Sequence, residues 1–589
     1  MRLLRLVASV SFTLVSFAAV PDAQAAQVTI DRTQRSQTID GFGFFGAHDV
    51  WWGQPQDLVN TAWFDAAVDD LGITIWRNEL PPPADAIAQQ DADWTKMRPV
   101  VQAMANKAKS SGVPLKIILT VWSPPSSMKC VVGTNGVQDG TPHPGGTKNG
   151  GGLCPSKRTA YADWLVAGLK QYADIGVEVY GLSFQNEPLF VEFYNSCVYN
   201  SQEYADTLAA IGPIIHAAYP NLKLFGSENM LAIECGGKNG FDPYWYTANV
   251  MSRPAALSQM GMWAVHGYSD GVLATPTSQM SKYWASFYAG TQSTNLPIWM
   301  TETSGYVDTI EAGATLPGAL DLAQSIYAAL YHGHLSGWVW WQGSELGAGM
   351  PSEFDLMSSV TKRGKKYYVS KNYYRYIRPG AQMVQAASDD TEVLVAAFDH
   401  DAAKTFTVIA INGGTASKSV TLTGANLPAA FQAYRTSATE DCADVGAMPA
   451  TTITLPARSI TSLVFGDTLK DPGAPDGGAT SGGSGGSIAG SGGATGGFGG
   501  TTGGRGGAGG SGGARASGGT SSSTGGLPSS GGASDGASSE SGGAGGTTGD
   551  SKGGDCSCHM AGSSPHTRAW YVALLSVLVV RRRRRPSSP

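Results

Sequence analysis

Between residues 38 and 345 the chain repeats one theme eight times: a short apolar or β-branched run followed by a stretch long enough for a helix. Strands of a parallel sheet are covered on both faces, so they read as continuous apolar runs, and each needs a crossover helix to reach the next. The repeat therefore predicts an α/β fold, a TIM (β/α)8 barrel. Its strands are expected near Gly41 to Phe45, Thr74 to Arg77, Lys116 to Val121, Tyr180 to Phe184, Lys223 to Gly226, Trp263 to His266, Ile298 to Thr301 and Gly337 to Trp341. Gly72, Gly112 and Gly176 stand just before three of these runs, where a helix C-terminus needs a residue tolerant of positive φ.

After the eighth run the texture changes. Val393 to Phe398, Thr405 to Ile411, Lys418 to Leu422 and Ser459 to Phe465 read as short strands separated by turn residues with no helix between them. They predict an all-β antiparallel side domain, which the strand-like segment Gln27 to Thr38 joins. The expected organisation is a barrel over residues 39–365 and a side domain over 366–467, with 26–38 supplying strands to the latter.

The two ends are expected to direct the protein rather than fold with it. Residues 1–25 open with Arg2 and Arg5, continue through the apolar run Leu6 to Val20, and close on Ala23-Gln24-Ala25, the pattern of a cleaved export signal. Residues 468–554 collapse to Gly, Ser, Thr and Ala, and the span from Asp471 holds 36 of the chain's 78 glycines. Such a segment has too little apolar surface to offset its ordering entropy and reads as a disordered linker. In 555–589 Cys556 and Cys558 precede an apolar run from Ala569 to Val580 and the cluster Arg581 to Arg585. That order resembles the C-terminal sorting signals of bacterial surface proteins, the myxobacterial type in particular. The resemblance implies a sorting protease as partner, transient membrane contact, and an extracellular or cell-surface location.

A net charge of -6, with the one dense basic run at the extreme C-terminus, excludes a nucleic-acid partner. Cysteines in an exported chain are expected in bridges, with Cys130–Cys154 and Cys197–Cys235 as the pairings and Cys442 free. No zinc-type Cys or His spacing is present, so no metal and no cofactor are expected. A monomer is expected.

In a barrel the chemistry gathers at the C-terminal ends of the strands. The polar and aromatic residues expected there are Arg77, Trp122, Asn186, Glu187, Glu228, His266, Tyr268, Glu302 and Trp341. Two glutamates at the ends of different strands match the two-carboxylate requirement of glycosidic bond cleavage. Asn186-Glu187-Pro188 suits the acid/base, with Asn186 placed for a sugar hydroxyl. Glu302 suits the nucleophile, its ionised form favoured by Tyr268 and Arg77. Trp51, Trp52, Trp122 and Trp341 are candidates for stacking on sugar faces, and Glu228 is a secondary supporting candidate.

These residues lie in motifs that resemble glycoside hydrolase family 30, of the clan A retaining glycosidases. The motifs are Gln37-Thr-Ile-Asp-Gly-Phe-Gly43, Trp122-Ser-Pro-Pro-Ser-Ser-Met-Lys129, Ser183-Phe-Gln-Asn-Glu-Pro188, Val265-His-Gly-Tyr268 and Thr301-Glu302. Tyr367 to Gly380 and Pro456-Ala-Arg-Ser-Ile460 look like the family's side domain. The resemblance implies retention of configuration, no metal, and a β-linked polysaccharide as substrate. Xylan is the expected polymer, with β-1,6-glucanase, galactanase and glucosylceramidase activities as alternatives within the family. A non-catalytic polysaccharide-binding adhesin is the alternative outside it. Glucuronate-dependent xylanases of the family carry an Arg in the loop after strand eight. Here Gln342 to Asp355 has no basic residue and contains Glu345, Glu353 and Asp355, which favours a neutral polymer.

Overall fold

The apolar runs form eight strands, and every neighbouring pair among them is parallel. They are Gly41–Phe45, Ile75–Glu79, Lys116–Thr120, Val179–Ser183, Lys223–Met230, Met260–His266, Ile298–Glu302 and Leu335–Trp340. The ring closes where Gly337 through Trp340 of strand eight run beside Gly41 through Phe44 of strand one. The computed structural model describes residues 25–46, 61–83, 94–133, 138–236, 240–268, 279–344, 351–359 and 362–467. Trp51, Trp52, Glu345, residues 1–24, the Gly-rich linker and the C-terminal segment with Cys556 and Cys558 lie outside them.

Both faces of the barrel strands are buried. Ile75, Ile118, Phe225, Met262, Ala264, Trp299 and Val339, with Tyr180 partly buried against them, fill the interior as one apolar cluster. The opposite faces pack under the helices in a larger core containing Trp76, Leu119, Leu182, Leu224, Trp263, Met300 and Trp338. Gly72, Gly112 and Gly176 have φ of 87°, 67° and 73°, as their places before strands require. At Gly72 the need is also steric, because a Cβ there would lie 2.9 Å from the Cα of Arg375.

Nine strands form the side sheet: Ala26–Thr38, Gln382–Ser388, Val393–His400, Thr405–Asn412, Lys418–Thr423, Ala430–Thr436, Ala443–Pro449, Ile453–Leu455 and Ser459–Phe465. Pairing is antiparallel except where Ala26 to Thr29 run parallel to Val420 to Thr423. The period of two divides each central strand between two cores. Val395, Ala397, Val408 and Ala410 fill the sheet's own core, whereas Ala396, Phe398, Ile409 and Ile411 belong to the core shared with the barrel. The helix Lys365–Tyr374 joins them: Tyr373 Oη donates to the carbonyl of Ala323 at 2.7 Å, and Asn372 Nδ2 to Ser462 Oγ at 2.8 Å.

Of the two expected disulfides one forms, Cys130–Cys154, with Cα atoms 5.2 Å apart. The Cys197–Cys235 expectation is corrected, since both are free thiols, as is Cys442. Nearness in sequence says nothing about the Cα separation that a bridge requires. Cys197 is sealed in the barrel core, and Cys235 donates its thiol to the carbonyl of Tyr283 at 3.4 Å. Burial pushes these thiols up to about 11 and about 12.

Candidate active site

Arg77, midway along strand two, is wholly buried, and so it demands neutralising partners. Its fork finds them in strands five and seven and just past strand four. Nη1 donates to Glu302 Oε2 at 2.5 Å, and Nη2 to Asn186 Oδ1 at 2.8 Å and Glu228 Oε1 at 3.1 Å. Nε donates to Thr120 Oγ1 at 3.2 Å, while the guanidinium carbon stands 4.9 Å from the centre of the Trp122 ring. Because Asn186 turns its oxygen to Arg77, its Nδ2 is left as a donor.

His266, fully buried at the end of strand six, bridges the carboxylates. Nδ1 lies 2.9 Å from Glu187 Oε1 and Nε2 lies 3.4 Å from Glu228 Oε1. Burial opposes charge on this ring, but Glu302, Glu187 and Glu228 outweigh it and push its pKa up to about 9. As a cation His266 donates from both nitrogens. Glu302 lies between two donors, since the Tyr268 hydroxyl donates to the oxygen that Arg77 does not hold. One oxygen of Glu187, one of Glu302 and a ring nitrogen of His266 all lie within 4.8 Å of one another.

Burial pushes the pKa of Glu187 up; the His266 hydrogen bond pulls it down, the charge of Glu302 adds to the rise, and the outcome is a raised value. For Glu228 burial pushes up, but Arg77 and His266 prevail and its pKa is lowered. Arg77 and His266 supply two positive charges, and Glu228 and the salt-bridged Glu302 two negative ones. Glu187 is the carboxyl on which burial and the charge of Glu302 favour the protonated form.

The backbone is specialised at both strand ends, with Glu187 at φ 42° and Glu228 at φ 55°, a left-handed conformation rare for residues with a Cβ and concentrated at functional sites. Glu234 braces the second: its Oε1 accepts from Ser227 Oγ at 3.0 Å and Asn229 Nδ2 at 2.9 Å, the residues either side of Glu228. Neither Glu234 nor Thr120 was marked by sequence, because each acts by holding a neighbour rather than by standing in a motif.

The other expected residues take definite places. Glu228 is fully buried, so it supports Arg77 and His266 instead of touching substrate. Trp122 and Trp341 are only 6% and 4% exposed and pack with Phe45, the Phe45 and Trp341 rings 4.4 Å apart. They back the carboxylates more than they face solvent. Asp355 is buried, and its carboxyl accepts from Ser352 Oγ at 2.9 Å. Among the described residues, Glu187, His266 and Glu302 are the group close enough to hold a metal, but Arg77 and Tyr268 already engage Glu302.

His266 gives a pH dependence. A folded pKa near 9 against the ordinary 6.5 means that its stabilisation is fully present below pH 6.5 and is lost as the pH rises through 9. The melting temperature is expected to fall across that window, and the fall should shrink in His266→Gln.

No family model matches the chain. A curated relative, the glucuronoxylanase XynC of Bacillus subtilis (strain 168), is 24% identical over 408 residues, covering 68% of this chain and 83% of the relative. Among solved structures, a glycoside hydrolase family 30 endoxylanase from Clostridium papyrosolvens C71 aligns with a TM-score of 0.58 at 24% identity, over 75% of this chain and all of that one. The endo-β1,6-glucanase BT3312 aligns with a TM-score of 0.55 at 17% identity, over 76% of this chain and 94% of that one. The chain therefore has the barrel-and-side-sheet fold of the family 30 glycoside hydrolases.

Proposed function

We propose that the protein is a retaining β-glycoside hydrolase of the family 30 type, with Glu302 as nucleophile and Glu187 as acid/base. The observation that carries it is that one carboxylate oxygen of Glu187 and one of Glu302 lie within 4.8 Å of one another, which favours the shorter of the two spacings that glycosidases use. Retaining enzymes hold theirs about 5–5.5 Å apart, whereas inverting enzymes need about 6.5–9.5 Å to admit a water between them.

In the first step a Glu302 oxygen attacks the anomeric carbon as the glycosidic bond breaks, and Glu187 gives its proton to the departing oxygen. Arg77 and Tyr268 hold the attacking carboxylate in place, and Asn186 Nδ2 is the donor for the hydroxyl beside the reacting carbon. Ester formation removes the charge of Glu302, one of the influences that raise Glu187, so the acid becomes a base. In the second step a water gives its proton to Glu187 and attacks the ester, which restores Glu302.

Xylan is the proposed polymer, because the curated relative is a glucuronoxylanase and a neighbour in fold is an endoxylanase. The loop from Gln342 to Asp355 has no basic residue to pair with a uronate, which favours neutral xylan over glucuronoxylan. Reducing-end release is to be measured on neutral xylan, glucuronoxylan, β-1,6-glucan and β-galactan. Neutral xylan is expected to respond most; binding without release from any polymer would replace the enzyme reading by that of an adhesin. Residues 1–25 are proposed as an export signal, 468–554 as a tether and 555–589 as a sorting segment; an intact mass that still includes 569–589 in exported protein would contradict the last.

A further inference from the structure

The turn that presents Glu187 is held by the residue two places before it. Gln185 follows strand four and is wholly buried. Its side-chain nitrogen carries two N–H groups and meets two carbonyls, donating to Trp122 O at 2.9 Å and to Asn186 O at 2.7 Å. We propose that Gln185 is a positioning residue for the acid/base, its amide fixing the peptide between Asn186 and Glu187 and so the aim of the Glu187 carboxyl at the departing oxygen. The proposal deepens the glycosidase reading and rests on it.

The chemistry of the contact explains why an amide stands there. A carbonyl only accepts, so a group that joins two of them must bring two donors, which the nitrogen of Gln does and a carboxylate, hydroxyl or thioether does not. Packing does not account for the residue. Gln185 Oε1 is buried and meets no donor among the described residues, a cost that an apolar side chain of similar length would avoid. The use of this side chain therefore lies in its nitrogen.

Backbone geometry carries the contact to Glu187. The carbonyl of Asn186 and the nitrogen of Glu187 belong to one planar peptide, so a hold on that oxygen constrains φ of Glu187. The value held is 42°, which a residue with a Cβ seldom adopts unless its surroundings fix it. Those surroundings are themselves tied down. Val121 N donates to Ser183 O at 3.2 Å, Asn186 N to Val121 O at 2.7 Å, Tyr199 N to Pro188 O at 2.9 Å, and the buried Tyr161 Oη to Phe184 O at 2.6 Å. Gln185 thus spans from the turn after strand three, whose Trp122 ring lies over Arg77, to the turn whose Glu187 Oε1 meets His266 Nδ1 at 2.9 Å.

Gln185→Met keeps the length of the side chain and removes both donors. On aryl β-xylobiosides kcat/KM reports the steps up to departure of the aryl group, and two such groups can differ in their need for a proton. The 4-methoxyphenyl glycoside should lose about a hundredfold, and the 2,4-dinitrophenyl glycoside, whose phenolate departs unprotonated, about threefold or less. Equal losses on both would make Gln185 a structural residue only and overturn the proposal. A crystal structure of the variant needs no turnover: Glu187 is expected to leave φ 42° and hydrogen-bond reach of His266, and an unchanged turn would overturn the proposal whatever the rates. Gln185→Glu, which keeps the shape and cannot place two donors there, should reproduce both results. If the unaltered protein turned over neither glycoside, the xylan reading would fall, while the structure of the variant would still decide whether Gln185 positions Glu187.

Discussion

Glu302→Gln is expected to lower kcat on the cleaved polymer by on the order of 10⁴-fold or more, while polymer binding stays within a few-fold. The amide keeps the shape of the side chain and an oxygen that can accept from Tyr268, so the cleft is unchanged for a ligand in its ground state. What disappears is the negative oxygen that attacks the anomeric carbon, together with the ionic part of the 2.5 Å contact to Arg77. A second consequence separates this from generic damage. With Glu302 neutral, one cause of the raised pKa of Glu187 is gone, so Glu187 should titrate lower in the variant than in the unaltered protein. Retention of a tenth or more of the activity would remove Glu302 from the role of nucleophile.

Arg77→Met is expected to cost about 3–5 kcal/mol of stability, the usual result of removing one partner from a fully buried ion cluster. Glu228 is wholly buried and Glu302 nearly so, and both form salt bridges with this guanidinium. Without it the carboxyl of Glu228 loses the largest of the influences that hold its pKa down. Its folded pKa then rises, so the stability that its ionised form contributes above the unfolded pKa in the unaltered protein is diminished in the variant. The deficit against the unaltered protein should therefore be smaller at pH 5 than at pH 7, as read from urea unfolding at both. An equal deficit at both pH values would place the loss in packing against Trp122 and Phe45 instead of in charge.

The barrel was legible because its signal is physical and repeated. Each strand is buried on both faces and so must be apolar, and all eight fall where the apolar runs lie. Gly41–Phe45 carries the expected bounds, and strand five, Lys223–Met230, runs furthest past them. The side sheet was legible only in part. Val393–His400 and Thr405–Asn412 lie in the middle of the sheet and are buried along their length, so they read as strands. Ala443–Pro449 is an edge strand with no buried residue and three of its seven exposed, and Ile453–Leu455 is too short for a pattern to emerge.

For the site, the strand-end positions and the motifs together located every side chain hydrogen-bonded to Arg77 except Thr120. They did not convey how those residues share charge, because Glu228 looks the same in sequence whether it faces a sugar or the buried side of His266. The disulfide expectation failed at Cys197 and Cys235 for a related reason, since sequence gives separation along the chain and not the direction in which a thiol points. Gln185 went unmarked although it lies in the strand-four motif, because only the fold brings its amide against the carbonyls of Trp122 and Asn186.

The account turns on the closeness of Glu187 and Glu302, and proton NMR of the anomeric centre during the first minutes of hydrolysis tests that most directly. A β-linked oligosaccharide should yield β-configured reducing ends first, with the α form appearing only as mutarotation proceeds. First appearance of the α form would mean direct attack by water, and would contradict the covalent role of Glu302.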